Sequence, residues 1–110
     1  MDFRDFIHMA RECLLRMDVE FNDYLKGGHD PGRLKWLADA SRNLRSQAKA
    51  SGLSHFKDII HTVGDIFCLA LKGKVRINCR IASLIREAIK TLSELLHEIA
   101  TNYQEEHYLH

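Results

Sequence analysis

The sequence predicts an all-α fold, an antiparallel four-helix bundle. Three observations predict it. Apolar residues recur at steps of three and four in four separate stretches, the signature of helices with one buried face. The few breakers, one proline and six glycines in 110 residues, cluster between those stretches. The links they leave are short, which favours antiparallel neighbours.

The first helix is expected over 2–26. Its stripe is Phe3, Phe6, Ile7, Ala10, Cys13, Leu14, Met17, Phe21, Tyr24 and Leu25. Lys26-Gly27-Gly28-His29 ends it, since glycine adopts the left-handed stop without a Cβ penalty. Asp30-Pro31 opens the second helix, 31–51, with Asp30 as N-cap and proline at the first helical position. Its inward residues are Leu34, Leu37, Ala38, Ser41, Leu44 and Ala48, with Trp36 at the bundle edge. Ser51-Gly52 breaks the pattern, and Ser54 is the expected cap of the third helix, 54–72. That helix turns Phe56, Ile59, Ile60, Val63, Ile66, Phe67, Ala70 and Leu71 inward and stops at Gly73. Lys74-Val75-Arg76-Ile77 is a link whose two β-branched residues tuck against the bundle. Asn78 caps the fourth helix, 78–103, with Ile81, Leu84, Ile85, Ala88, Ile89, Leu92, Leu95, Leu96, Ile99 and Tyr103 as its stripe. Residues 104–110 lose the pattern and are expected to fray. No strand pattern, repeat, low-complexity tract or second domain is visible, so the chain reads as a single domain over 1–110.

Composition narrows the function classes. The chain is 45% hydrophobic and 28% charged, ordinary for a globular domain. No apolar run approaches the roughly 20 residues that span a bilayer. The N-terminus, charged from its second residue, carries no signal-peptide core. Three widely spaced cysteines, Cys13, Cys68 and Cys79, do not make a disulfide framework and fit a reducing, cytoplasmic setting. A net charge of +1, and a basic stripe without interleaved aromatics, argue against nucleic-acid binding. No Ser/His/Asp set, paired-carboxylate site or CxxC is present. Lys26-Gly27-Gly28 has no following Lys-Ser/Thr and reads as a turn, not a phosphate loop. His55 and His61, six apart, are about 600° of helical rotation from each other and do not share a metal. His8 and Cys13, five apart, also miss ligand spacing. No cofactor is expected.

The second helix carries the strongest charge pattern. Residues 31–52 hold five basic residues against one acid, a net of +4, whereas residues 2–26 hold four against six, a net of −2. Lys35, Arg42, Arg45 and Lys49, at spacings of seven, three and four, read as one cationic face, with Gln47 beside it.

The string Ser41-Arg42-Asn43-Leu44-Arg45-Ser46-Gln47-Ala48, with Gly52-Leu53 at the helix end, resembles the active helix of histidine-containing phosphotransfer (HPt) domains. The likeness is greatest to the N-terminal HPt domain of CheA-type chemotaxis kinases. Without gaps, Leu44-Arg45 falls on the family's Leu-Lys pair, Ala48 on its small residue and Gly52-Leu53 on Gly-Phe. It continues through Ile60-His61, Lys72-Gly73, Val75-Arg76-Ile77-Asn78 and Ile81 to Glu87, and covers roughly residues 2–103.

The resemblance implies a phosphotransfer site from which two parts are missing. Arg42 stands where the phosphoacceptor histidine is expected, and a guanidinium, always protonated, offers no lone pair to phosphorus. Gly64 stands where a carboxylate orients the acceptor, and Ser46 where the family has a glycine. Arg45 keeps the cation and His61 the accessory histidine. The resulting expectation is a non-phosphorylatable interaction module of two-component or chemotaxis-type signalling, not an enzyme. It would bind a response-regulator receiver domain or a histidine-kinase domain through Lys35, Arg42, Arg45, Gln47 and Lys49. Two alternatives stand beside it. One is active phosphotransfer through His61; the other is a helical adaptor or dimerisation domain with an apolar patch from Tyr103, Tyr108 and Leu109. Partner identity and oligomeric state are left open by the sequence.

Overall fold

The computed structural model describes residues 3–109, and the side chains of residues 3–103. Four helices account for it: α1 Phe3–Lys26, α2 Pro31–Ala50, α3 Ser54–Leu71 and α4 Cys79–Leu109. Among the described residues there is no strand. Each helix touches its two sequence neighbours around a ring that α4 closes against α1, and α2 and α3 share the most extensive interface.

The first three helices stop in the same way. Gly28, Gly52 and Gly73 adopt φ of 83°, 75° and 71°. In each case the next residue's N–H reaches back five positions: His29 to Tyr24, Leu53 to Ala48 and Lys74 to Leu69, at 3.1, 3.0 and 2.9 Å. This left-handed stop satisfies carbonyls that the helix end leaves open. His29, itself left-handed at φ 65°, lies stacked on Tyr24 with ring centroids 4.8 Å apart.

The starts differ. The Asp30 carboxylate accepts from Gly32 N–H at 3.1 Å, and Asn78 Oδ1 accepts from Ile81 N–H at 2.9 Å, as the sequence predicts. Ser54 does not cap α3. The N-cap is Leu53, which makes no side-chain cap bond, and Ser54 is already helical. The link is so short that Leu53 completes the stop of α2 and opens α3 at once.

The core is one cluster in which Phe6, Phe21, Phe56 and Phe67 are sealed from solvent with Met17, Leu37, Leu44, Ile60, Leu92 and Leu96. Each large side chain so buried contributes roughly 1.5–3 kcal/mol of transfer free energy. Two large apolar residues of the predicted stripes are instead exposed. Leu71, the last residue of α3, is 39% exposed, and Leu84 is 60% exposed because it sits about 100° around α4 from the buried Ile85. Ile77 is buried and Val75 half-buried, so the α3–α4 link does tuck inward. α4 runs to Leu109, past the expected end at 103. Residues 104–109, expected to fray, continue this helix, and the side chains of 104–110 lie outside the described residues. No described helix is long and apolar enough to cross a membrane.

Candidate functional site

The site is the groove between α2 and α3. Its floor is Ala38, Ser41, Ile60 and Gly64, and its walls are Arg42 and Arg45 from α2 and His61, Asp65, Cys68 and Lys72 from α3. The floor explains why the helices approach so closely. A Cβ at Gly64 would stand 3.1 Å from the Ser41 Cβ, so glycine and serine together make a tight seam. The Ser41 hydroxyl is buried and spent within its own helix, donating to Leu37 O at 2.8 Å.

Above this seam the side chains form a short relay. Arg45 Nη1 donates to His61 Nδ1 at 2.6 Å, and His61 Nε2 lies 3.3 Å from Asp65 Oδ2. One protonation pattern satisfies both contacts: a neutral imidazole with its proton on Nε2, directed at Asp65, and its Nδ1 lone pair accepting from Arg45. Asp65 is the site residue that sequence reasoning missed. The family register directs attention to position 64, which is Gly64, while the carboxylate stands one residue later, four after His61 and so on the same face. That i, i+4 spacing was the available signal.

Arg42 sits beside the relay with a weaker partner. Its Nη2 donates to Cys68 Sγ at 3.7 Å, and thiol sulfur is a poor acceptor. Among the described residues no carboxylate pairs with Arg42 or Arg45. Beyond these contacts, to Cys68 and to His61, the two guanidiniums have no acceptor among the described residues.

The structure divides the predicted cationic face. Arg42 and Arg45 line the groove, but Lys35 lies outside it, paired with Asp39 at 3.0 Å, and Lys49 is exposed beyond the groove's lining. Ser46 is exposed and outside the groove. Gln47, two residues past Arg45, is rotated about 200° from it and belongs to the other side of α2. On that side Trp36 carries the Arg16 guanidinium 4.5 Å over its ring.

The remaining candidates are unconnected to the groove. Cys13 is partly buried, and burial pushes its thiol up from the ordinary value against the opposing pull of Arg16. Cys79 is exposed, and no cysteine is paired. Among the described residues no three His, Cys, Asp or Glu side chains are grouped to hold a metal. Tyr103 is half-buried, its ring tilted against Phe3 with centroids 5.1 Å apart, and Tyr108 and Leu109 lie outside the described side chains.

No protein-family model, curated protein or solved structure matches the chain. The likeness to HPt domains therefore rests on the residues quoted for it, and a helical bundle alone fixes no function.

Proposed function

We propose that the chain is a binding module that docks acidic signalling partners, a receiver or histidine-kinase domain, through the α2–α3 groove without phosphotransfer. The observation that carries this reading is the pair Arg42 and Arg45, two permanent cations in one groove with no carboxylate partner of their own among the described residues. An arginine whose donors are unspent is suited to a carboxylate cluster, which it grips through a planar fork. The resemblance supplies the partner class, because receiver active sites are rich in aspartate and HPt domains meet them with this helix face. Arg42 then enters the acidic pocket where a phosphohistidine would otherwise approach.

The test is titration of isolated receiver domains with the wild type and with Arg42→Ala. Weaker binding by the variant, with the gap closing at high salt, is the expected outcome. Equal binding by the two proteins overturns the reading.

The relay Arg45–His61–Asp65 favours one rival, in which His61 accepts phosphate with Asp65 orienting it. Against that stands the engagement of both ring nitrogens, with the Nδ1 lone pair committed to Arg45. Exposure to phosphoramidate followed by mass spectrometry at neutral-to-basic pH separates the two. The binding reading predicts no stoichiometric histidine phosphate beside a working HPt control. Phosphate on His61 restores the rival.

A further inference from the structure

We infer that the docking surface does not end at the groove but continues through Lys72 onto the α3–α4 link, so that the partner presents an extended acidic strip. This rests on the proposed docking function for its partner class. The link itself falls within the span of the HPt likeness, but the inference is carried by the link's charge, anchoring and placement, which are read independently of it.

The first is a charge run. Residues 66–86 contain Lys72, Lys74, Arg76, Arg80 and Arg86 and not one Asp or Glu. Arg86 is turned to α1, where it donates to Asn22 Oδ1 at 3.0 Å. Lys72, Lys74, Arg76 and Arg80 are exposed, and none pairs with a carboxylate among the described residues. Residues 31–86 as a whole carry eleven bases and three acids, a net of +8, while the rest of the chain carries −7. The net charge of +1 therefore conceals a strongly cationic half.

The second is that the link is held in place. The Gly73 stop fixes its start, with Lys74 N–H on Leu69 O, and the Asn78 cap fixes its end. Between them Ile77 is buried and Val75 half-buried while Lys74 and Arg76 are exposed. The alternation presents two cations from an anchored strip, and so at small ordering cost on binding.

The third is placement. Lys72 lines the groove with Arg42 and Arg45, and Lys74 and Arg76 line the adjoining hollow at the bundle end. The opposing acids are few. Asp65 faces the groove and is engaged by His61, and Asp30, in the neighbouring α1–α2 link, caps α2.

Geometry selects the partner. Arg45 is fourteen residues along α2 from its start at the link end, about 21 Å of helix. A flat bilayer meeting the bundle end-on at Lys74 and Arg76 would leave Arg45 far beyond a Debye length of about 8 Å, and one lying along the α2–α3 side is what binding to phosphatidylserine vesicles detects. No aromatic side chain lines the groove to stack bases. An acidic protein surface meets both halves.

Two variants of the full chain decide the matter: Arg42→Ala, and the link pair Lys74→Glu with Arg76→Glu. The link residues are exposed and outside the core, and circular dichroism checks that the pair still folds. Each is measured against receiver domains, poly-L-glutamate, duplex DNA and phosphatidylcholine vesicles with and without phosphatidylserine. The inference expects the link pair to lower the association rate for poly-L-glutamate and for the receiver several-fold at low salt, with the difference vanishing at high salt. If Arg42→Ala weakens receiver binding and the link pair does not, the docking reading stands and the inference falls. If no receiver binds but poly-L-glutamate binding still depends on the link pair, the extended acidic-surface inference stands and the partner class is wrong. Stronger retention by DNA or by phosphatidylserine vesicles than by poly-L-glutamate overturns it.

Discussion

Gly64 and Ser41 show how single residues set the spacing on which the groove depends. A Cβ at position 64 would press the Ser41 Cβ at 3.1 Å. Gly64→Ala gains up to about 1 kcal/mol of helix propensity and loses a comparable amount by parting the seam, so its urea midpoint should stay near wild type. Gly64→Val adds branches with nowhere to go and should cost about 1–3 kcal/mol in the same measurement. Neither Gly64 nor Asp65 was legible as structure in the sequence. A glycine inside an apolar helix pattern reads as a missing carboxylate when a family register is laid over it, yet its physical role here is contact. Asp65 was overlooked for the same reason, although its spacing from His61 is ordinary helix geometry. The cysteines supply a second residue-scale expectation. The folded Cys13 thiol holds its proton more tightly than the unfolded one. Any stability from that shift is thus present below the unfolded pKa and lost as pH rises through the folded value. Alkylation of Cys13 should set in at higher pH in the native protein than in the urea-unfolded chain, as read by peptide mapping across a pH series.

At the scale of the element, caps and stops were the most legible features. Asp30, Asn78 and the three stop glycines follow from local rules that need no tertiary knowledge. Ser54 failed because the rule was applied to one helix alone. A chain that leaves α2 and enters α3 through three residues, Ser51–Leu53, must use the last of them twice. The contrast is measurable by denaturant unfolding. Asp30→Ala and Asn78→Ala should each cost about 1 kcal/mol, and Ser54→Ala should cost almost nothing. Leu71 and Leu84 illustrate the other limit. Periodicity marks a face about 100° wide, but how much of it a neighbouring helix covers is set by packing, which the sequence does not display.

For the whole molecule, the arrangement of four helices around one core was readable from the apolar stripes and short links. The asymmetry of charge was readable too once charge is summed by segment, although the total over the chain conceals it because it discards position. The segment 31–86 and the remainder carry +8 and −7, so the monopole nearly cancels while a large dipole remains. A distant charged partner therefore feels almost no pull from this molecule. Within a screening length the field of the cationic half exerts a torque, and the protein turns its α2–α3 side and link toward an acidic surface before any atoms touch. Selectivity of approach is then a matter of orientation rather than of attraction, and a partner acidic overall but lacking a concentrated patch would pass by without turning it.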